Sequence, residues 1–423
     1  MDINSILQGV TCSCGKTHHC NIEYVYIENG AISKITKLCA KHNNILIVAD
    51  KNTFAAAGEK VEKALCGKAL KKVIFEGTPV LIPNEDAIDT VKSELQGIDL
   101  IVGVGSGVIQ DLCKYVSFFE KIPYMIVATA PSMDGYASDG AAMILKGMKE
   151  TVAATLPRAI IADTEVLKDA PLEMIKAGYG DIIGKFSALC DWKLSTAVNG
   201  EYFCQYIYDT TYKMIENTLN TAKGLLERDE DSVKALMEAL TVVGIMMSFA
   251  GSSRPASGSE HHLSHFFEIV GIVNSEPYFA HGIDVAYSTV ITAKIREKLL
   301  NSAFPNALYR LSRTDYTQTM TEIYKSVAEG CIALQDRVGN YNANRLDVYK
   351  QKEDEIKEIL SEMPKAQEIE NILAVAGFDI AEFYDTYGMD KINNAICYAK
   401  DLKDRYTVLW LYYDLFGGEN SVI

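Results

Sequence analysis

The chain has 423 residues, of which 48% are hydrophobic and 23% charged, so it is long enough for about two or three folded domains. Its formal net charge of −15 argues against nucleic acid or an anionic membrane surface as a partner, because both need a basic face. No apolar run reaches the roughly 18–20 residues of a membrane span, and the N-terminus lacks a basic-then-apolar signal pattern. The sequence therefore predicts a cytoplasmic protein.

Ten cysteines are spread along the chain, mostly in apolar stretches, which is typical of buried thiols in a cytosolic protein. The segment Cys12-Ser-Cys-Gly-Lys-Thr-His-His-Cys20 differs, because it looks like a metal-binding knuckle. No second Cys-x-x-Cys pair lies near it, and Cys-x-Cys is an unusual spacing for structural zinc. The segment therefore predicts a surface hairpin with incidental thiols in preference to a zinc site.

The first part of the chain alternates between short apolar runs and segments of helical spacing. Continuous apolar runs are typical of strands buried on both faces of a parallel sheet. The predicted strands are 44–49, 71–75, 99–104 and 123–128, with an edge strand at 22–27, and the predicted helices are 31–42, 52–65, 84–95 and 109–119. This alternation indicates a doubly wound α/β domain with a mostly parallel sheet.

From about residue 171 the pattern becomes helical and convincing strand patterns are absent. The main predicted helices of this part are 173–196, 202–222, 232–250, 283–299 and 316–334. The sequence therefore predicts two domains, an α/β domain over 1–164 and an all-helical domain over 165–423. We expect the active site in the cleft between them, since such clefts are the usual place for a ligand.

A glycine-rich turn follows the third predicted buried strand, in Asp99-Leu-Ile-Val-Gly-Val-Gly-Ser-Gly-Val-Ile-Gln-Asp111. Its glycines, Gly103, Gly105 and Gly107, let a ligand approach the backbone, and the next helix N-terminus offers N–H groups and a positive dipole to a pyrophosphate. The spacing is not the usual Gly-x-Gly-x-x-Gly, so a tight structural turn is the alternative.

Asp50 stands at the end of the strand predicted at 44–49. An acid there commonly accepts hydrogen bonds from a ribose diol and repels a 2′-phosphate, which favours NAD over NADP. Capping of the following helix explains this residue equally well.

A polar loop follows the strand predicted at 123–128, in Ala128-Thr-Ala-Pro-Ser-Met-Asp-Gly-Tyr-Ala-Ser138. The segment is crowded with small hydroxyls, Pro, Gly and Asp, which together predict a loop at the carboxyl end of a sheet strand. Ligands bind at that edge in open α/β sheets.

Histidines cluster in Gly251-Ser-Ser-Arg-Pro-Ala-Ser-Gly-Ser-Glu-His-His-Leu-Ser-His265, and His281 follows in a His-Gly pair. If a helix begins near Ser259, His261 and His265 share one face and His262 points elsewhere. Imidazole is the commonest ligand of zinc-like metals, although hydrogen bonding at a helix start explains the cluster equally well.

Asp181 and Lys185 lie four residues apart in an apolar helical segment. A buried carboxylate needs a partner, because burying an unpaired charge is costly. Lys185 supplies one as an ordinary ion pair, and a metal ion shared with His261 and His281 is the alternative.

Five motifs appear in a fixed order: Gly-x-Gly-Ser-Gly at 103–107, Thr-Ala-Pro-Ser-Met-Asp-Gly-Tyr at 129–136, Gly-Asp at 180–181, Ser-Gly-Ser-Glu-His-x-x-Ser-His at 257–265 and His-Gly at 281–282. Together they resemble the metal-dependent, iron-containing type of alcohol and polyol dehydrogenases, a superfamily that includes glycerol dehydrogenase and dehydroquinate synthase. Within it they are most similar to the glycerol-1-phosphate dehydrogenases.

The resemblance implies a role for each matching residue. One divalent metal ion, zinc in the first place and nickel in the second, would be bound by Asp181, His261 and His281. NAD(P) would be held by Gly103, Val104, Gly105, Ser106, Gly107, Thr129, Ala130, Pro131, Ser132 and Ser138, with Asp50 on its adenosine ribose. The substrate would contact Asp134, Asp181 and His265, of which Asp181 and His265 would be catalytic.

The implied reaction is the reversible NAD(P)-dependent reduction of dihydroxyacetone phosphate to sn-glycerol 1-phosphate, a step of glycerophospholipid metabolism, by a homo-oligomeric enzyme. Glycerol dehydrogenase, which acts on the unphosphorylated polyol, is the first alternative. A lyase of the dehydroquinate synthase type is the second, but its Gly-His-x-x-Gly-His pattern is absent and Asp181 stands where that group has Glu.

A phosphorylated substrate needs cations in an otherwise acidic chain. Lys146, Lys149, Lys185 and Arg254 lie in or beside the motifs. Arg254 and Lys149 are the predicted substrate contacts, since Arg254 can grip a phosphate with two hydrogen bonds, which a lysine cannot do.

Overall fold

The computed structural model describes residues 2–145 and 148–417, and the side chains of 148–150 lie outside that description. The chain divides into two compact units. The first unit consists of Met1–Tyr179 and Glu216–Ser252, and the second of Gly180–Ile215 and Ser253–Ile423. The predicted boundary at 164/165 marks the point where strands give way to helices. The compact units are instead defined by packing, so the helical segment Glu216–Ser252 belongs to the first unit.

The first unit is built on a sheet of six parallel strands in the order β3-β10-β7-β6-β4-β5. These strands are β3 Tyr24–Glu28, β4 Asn44–Asp50, β5 Ala69–Phe75, β6 Leu100–Gly105, β7 Tyr124–Ala128 and β10 Ala159–Asp163. The parallel sheet and the five strands predicted for it are therefore confirmed. β10 is the strand that the sequence analysis missed.

Helices cover both faces of this sheet. Val102 and Val104 of β6 lie in a core cluster with Ile35 and Val61, which belong to the segments after β3 and β4. A Cβ at Gly103, between the two valines, would instead stand 2.9 Å from Sγ of Cys113, in the helix that follows β6. Because successive strand residues point to opposite faces, this alternation confirms the doubly wound arrangement.

Two antiparallel hairpins stand apart from the six-stranded sheet. One pairs β1, Val10–Thr11, with β2, Thr17–His18, which confirms the predicted N-terminal hairpin. The other pairs β8, Gly140–Leu145, with β9, Met148–Ala153.

Seven short helices connect the strands. They are α1 Ile3–Leu7, α2 Ile35–Leu38, α3 Lys51–Thr53, α4 Glu59–Ala64, α5 Glu85–Ser93, α6 Gly107–Glu120 and α7 Thr164–Lys168, with 3-10 turns at Ala31–Lys34 and Asp134–Ala137 and a π-helical segment at Phe54–Gly58.

The described chain from Thr164 to Gly417 contains no strand, as predicted. Its first six helices are α8 Leu172–Asn199, α9 Gln205–Leu219, α10 Ala222–Leu226, α11 Glu230–Ala250, α12 Ser259–Asn274 and α13 His281–Leu300. The remaining helices are α14 Arg313–Tyr324, α15 Ala328–Val338, α16 Leu346–Gln351, α17 Glu353–Ser361, α18 Ala366–Val375, α19 Ile380–Tyr398 and α20 Val408–Phe416, with 3-10 turns at Lys325–Val327, Asn340–Asn342 and Ala399–Leu402.

Helix α11 is long and apolar enough to cross a membrane by length and composition alone. However, 72% of its most apolar window is buried inside the protein. That burial is typical of a core helix, and within the described residues no other helix meets the same test.

A single buried carboxylate fixes the start of two helices in the second unit. Oδ2 of Asp191 accepts the backbone N–H of Ser259, the first residue of α12, at 2.6 Å. Its Oδ1 accepts the N–H of Val408, the first residue of α20, also at 2.6 Å. Burial, followed by the charge of Glu260, raises the pKa of Asp191 to about 6. The carboxylate therefore satisfies N–H groups that a helix start leaves without internal partners.

We expect Asp191→Ala to lower the free energy of unfolding by about 2–4 kcal/mol, since two helix caps worth about 1–2 kcal/mol each are lost. Because folding raises the pKa of this acid, the folded state holds its proton more tightly than the unfolded state does, and the stability gained from that protonation is lost as the pH rises from about 4 to about 6. Asp191→Asn should therefore flatten the pH dependence of stability in that window, measured by urea unfolding from pH 4 to 7. Asp229→Ala, which removes the side-chain cap of α11, is the matched control. It should lower stability less and leave the pH dependence from pH 4 to 7 unchanged, because the hydrogen bond to Ser232 lowers the pKa of Asp229 and keeps that window above it. An unchanged pH profile in Asp191→Asn would contradict this account.

Candidate metal and cofactor sites

The second unit brings together the three predicted metal ligands. Asp181 comes from α8, His261 from α12, and His281 is the first residue of α13. Their ligand atoms all lie within 4.8 Å of one another, and Nε2 of His261 is 3.6 Å from Oδ1 of Asp181. One carboxylate and two imidazoles suit a zinc-like divalent ion and leave coordination positions for a substrate, so the donor set fits the metal that the sequence predicts.

Small residues let the helices that carry these ligands approach closely. A Cβ at Gly180 would overlap the carbonyl oxygen of Gly282 and would stand 2.7 Å from Cβ of Ala286. Gly180 precedes Asp181, and Gly282 follows His281. The Gly-Asp and His-Gly pairs in the sequence therefore place two ligands side by side.

Glu260 holds the ring of His261 in position. Its Oε1 lies 2.6 Å from Nδ1 of His261 and also accepts the backbone N–H of Gly258 at 2.9 Å. With Nδ1 hydrogen-bonded to the acid, the ring directs Nε2 toward Asp181, which is the orientation that a metal ligand needs. Burial raises the pKa of Glu260 to about 7.

Lys185 forms a buried ion pair with Asp181. Its Nζ lies 2.6 Å from Oδ1 of Asp181, and both side chains are almost completely buried. The ion-pair alternative for Asp181 is therefore observed, and the metal alternative stays a prediction for the same carboxylate. Removal of one partner of such a pair strongly destabilises the folded protein, because the other charge then stays buried without a partner.

His265 and His262 separate as the helical spacing predicts. The ring of His265 lies 5.4 Å from that of His281 and 6.2 Å from that of His261, at the edge of the ligand cluster. His262 is fully buried, and within the described residues neither of its ring nitrogens has a hydrogen bond. Burial lowers the pKa of His262 well below its usual range, so it stays neutral.

In the first unit, the three glycines of the turn between β6 and α6 have different surroundings. A Cβ at Gly105 would stand 2.6 Å from Cβ of Ile109, and one at Gly103 would press on Cys113, so both positions serve close packing of the helix on the sheet. A Cβ at Gly107 would meet nothing closer than Met133 at 3.8 Å. Ser106, the residue before α6, makes no capping hydrogen bond through its side chain. This helix N-terminus suits a pyrophosphate. The close packing at Gly103 and Gly105 also supports the alternative of a tight structural turn.

The polar loop after β7 is held by a buried lysine. Nζ of Lys114 donates to the carbonyl oxygens of Gly135 and Gly140 at 2.6 and 2.9 Å and to Oγ of Ser138 at 3.2 Å. Burial lowers the pKa of Lys114. The segment that contains Thr129, Ala130, Pro131, Ser132 and Asp134 therefore has a defined backbone, and the hydroxyl of Ser138 is part of its support.

Asp50 caps the helix that follows β4. Its Oδ1 accepts the N–H of Thr53 at 2.9 Å, and Oγ1 of Thr53 accepts the N–H of Asp50 at 3.0 Å. The capping alternative is thus observed, and the half-buried side chain keeps a carboxylate at the carboxyl end of a central strand. The ribose contact stays a prediction.

The predicted phosphate contacts gain no support. Nε and Nη2 of Arg254 donate to the two carboxylate oxygens of Glu201 at 2.6 and 2.5 Å, and Nη2 also donates to the carbonyl of Tyr406 at 2.9 Å. The Nε and Nη2 groups of this buried guanidinium, which would form a bidentate contact with a phosphate, are therefore already bonded to a carboxylate. Lys146 and the side chain of Lys149 lie outside the described residues. Both contacts stay predictions.

Sequence reasoning missed the residues that orient the proposed ligands. Glu260 stands directly before His261 within a quoted motif, and an acid beside a ligand histidine is a signal that could have identified it. Lys114 and Asp191 gave no comparable signal, because their partners lie far away in the sequence.

A family model described as iron-containing alcohol dehydrogenase matches residues 26–171. The chain is 32% identical over 333 residues to a glycerol-1-phosphate dehydrogenase (NAD(P)+) of Bacillus licheniformis, covering 75% of this chain and 80% of that protein. It is 29% identical over 419 residues to one of Geobacillus stearothermophilus, covering 96% of each. Among solved structures, an iron-containing alcohol dehydrogenase of Thermococcus thioreducens shares the fold with a TM-score of 0.55 at 15% identity, covering 85% of this chain and 99% of that one.

We expect Gly180→Ala to weaken zinc binding about 10–100-fold, because the added methyl group would push α8 away from the start of α13 and separate Asp181 from His281. Competition with a chromophoric chelator measures the affinity, and circular dichroism checks the fold. Gly107→Ala is the matched control, since its added methyl group meets no close atom in the described structure. Zinc affinity of Gly180→Ala equal to that of the unchanged chain would show that the close approach does not set the ligand geometry.

Proposed function

We propose a function from the premise that the chain belongs to the iron-containing alcohol dehydrogenase family and that its relatives carry the name glycerol-1-phosphate dehydrogenase (NAD(P)+). The reaction is the reversible reduction of dihydroxyacetone phosphate to sn-glycerol 1-phosphate with NAD(P)H. The observation that carries the proposal is the cluster of Asp181, His261 and His281, three residues that a dehydrogenase of this kind needs for its metal.

Asp181, His261 and His281 would hold one divalent ion, and zinc is our first choice because a carboxylate with two imidazoles is a common catalytic zinc set. Nickel is the second choice, since its affinity for such ligands is comparable. When bound, the metal supplies Lewis-acid stabilisation of the negative charge that develops on the substrate oxygen during hydride transfer.

The neighbouring residues of the chain prepare the ligands and handle the proton. Glu260 keeps the imidazole of His261 directed at Asp181, and Lys185 forms an ion pair with Asp181. His265, one turn after His261 and 5.4 Å from the ring of His281, would hydrogen-bond a substrate hydroxyl and exchange a proton with it. Asp134 is a further proposed substrate contact.

The residues proposed for the dinucleotide lie on the first unit. The N–H groups at the start of α6, next to Ser106 and Gly107, would bind the pyrophosphate, and Thr129–Ser132 would lie along the cofactor. Asp50 would accept a hydroxyl of the adenosine ribose, which favours NADH over NADPH. When bound, NAD(P)H supplies the hydride, so these residues bind and orient the cofactor.

The support for a phosphorylated substrate comes from the names of the relatives. Arg254, one of the two predicted phosphate ligands, is engaged by Glu201. Glycerol dehydrogenase activity is therefore the second candidate, and the substrate comparison below decides between them.

We expect removal of the metal by a chelator, or the substitution His261→Ala, to lower kcat/KM for dihydroxyacetone phosphate about a thousandfold. Loss of Lewis-acid stabilisation amounts to several kcal/mol of barrier. Binding of NADH, followed by its fluorescence, should stay unchanged. Zinc or nickel should restore the stripped protein but not the variant. Full activity after complete removal of the metal would overturn the mechanism.

We also expect kcat/KM with NADH to be at least about a hundredfold higher for dihydroxyacetone phosphate than for dihydroxyacetone, because contacts with the phosphate help to orient the reacting carbonyl. Both compounds are assayed side by side with the same protein, and the product is identified as the sn-1 or sn-3 isomer of glycerol phosphate by stereospecific enzymatic assay. Equal rates, or a preference for the free triose, would assign the chain to the glycerol dehydrogenase alternative.

A further inference from the structure

The N-terminal hairpin brings two cysteines and a histidine together in the first unit. β1 and β2 pair Val10 with His18, and the turn between them is closed by a hydrogen bond from the N–H of Cys12 to the carbonyl of Lys16 at 3.0 Å. The N–H of Gly15 donates to the carbonyl of Cys12 at 3.1 Å. Gly15 has a φ of +85°, a left-handed conformation that favours glycine. This tight turn folds Cys14 back toward His18.

The distances among these side chains match a tetrahedral metal site. The ligand atoms of Cys12, Cys14 and His18 lie within 4.8 Å of one another, and Sγ of Cys14 is 3.3 Å from Nε2 of His18. With Zn–S near 2.3 Å and Zn–N near 2.0–2.1 Å, tetrahedral geometry requires about 3.6 Å between sulfur and nitrogen and about 3.8 Å between two sulfurs. Small side-chain shifts therefore bring all three atoms to one ion.

The imidazole of His18 is oriented as a metal ligand is. Its Nδ1 lies 3.1 Å from the carbonyl oxygen of Phe249, at the end of α11, and its ring stacks on the ring of Phe249 at 5.3 Å. The carbonyl can only accept a hydrogen bond, so Nδ1 carries the proton and the lone pair of Nε2 is directed at Cys14. A histidine ligand typically donates its second N–H to such an acceptor. His18 is buried, which keeps this orientation fixed.

We propose that Cys12, Cys14 and His18 bind a structural zinc ion that is distinct from the metal of the Asp181 cluster. Two thiolates and an imidazole are soft ligands that favour zinc over magnesium or calcium. The fourth position is completed by water or by a further thiolate. The ion would close the hairpin and hold it to the end of α11 through His18. This site does not depend on the proposed function, and it reverses the preference for incidental thiols.

Cys20 differs from the two proposed cysteine ligands. It is buried two residues beyond His18, and burial raises its pKa to about 11. It also lies outside the group of residues whose ligand atoms come within 4.8 Å of one another. Cys20 therefore serves as an internal comparison for the cysteines of the hairpin.

The test is metal analysis of the full, untagged chain after expression with added zinc. We expect two zinc equivalents per chain. The double variant His261→Ala/His281→Ala should keep one, and addition of Cys12→Ser and Cys14→Ser to that variant should remove it. After exchange for cobalt, thiolate-to-cobalt absorption in the near ultraviolet should appear in the His261→Ala/His281→Ala variant and vanish when Cys12 and Cys14 are replaced. Native mass spectrometry confirms that the lost mass is one zinc ion.

Matched variants distinguish the loss of a zinc ligand from a general loss of folding. Cys66→Ser removes an exposed cysteine, and His19→Ala removes the exposed histidine next to His18, and both should retain two zinc equivalents. His18→Cys preserves a zinc ligand and should retain the second ion, whereas His18→Ala should lose it. The proposal is overturned if the unchanged chain holds one equivalent and the His261→Ala/His281→Ala variant holds none. It is equally overturned if the cobalt protein shows no thiolate absorption.

Discussion

The carboxylate of Asp191 determines where α12 begins, and the arrangement of the proposed metal centre depends on that start. Gly258 has no side chain with which to cap the helix, and the N–H of Ser259, the first residue of the helix, is satisfied by a residue 68 positions upstream. From this start, Glu260 and His261 fall in the first turn and His265 one turn later, on the face of His261. A shift of the start by one residue would rotate every side chain of the helix by about 100° and would separate His261 from Asp181.

Buried charge around Asp181 is balanced by neighbours rather than by water. Asp181 and Glu260 are acids with almost no exposure, and Lys185 is the ammonium group within hydrogen-bonding distance of Asp181. The raised pKa of Glu260 follows from this burial. A divalent ion between Asp181 and the two histidines would offset the remaining negative charge, which is a physical reason for a buried acid to persist beside two imidazoles.

Much of the fold could be predicted from the sequence, because strands buried on both faces appear as continuous apolar runs. β4, β6 and β7 are such strands, and their predicted ranges agree with the structure. β10 was missed because its short apolar run, Ala159–Asp163, follows a long segment that folds into a separate hairpin and pairs with strands far away in the sequence. The shared face of His261 and His265 could be predicted because helical spacing concerns neighbouring residues. The grouping of Asp181 with His261 and His281 was one alternative among the residues and was implied by the resemblance of the motifs. The roles of Asp191 and Lys114 depend on contacts across the fold, which no local pattern encodes.

The N-terminal hairpin shows why spacing rules are weak evidence against a metal site. Such rules assume that the ligands come in pairs along the chain, as in Cys-x-x-Cys, and Cys12 and Cys14 do not satisfy them. In the structure, the histidine comes from the opposite strand of the hairpin, and the group that orients its ring is the carbonyl of Phe249, 231 positions away. A tight turn and one distant acceptor thereby replace the second cysteine pair that the spacing lacks. At His261 the group that orients the ring is local, since Glu260 directly precedes it, and the distant contact is the one from Asp191 to the start of the helix.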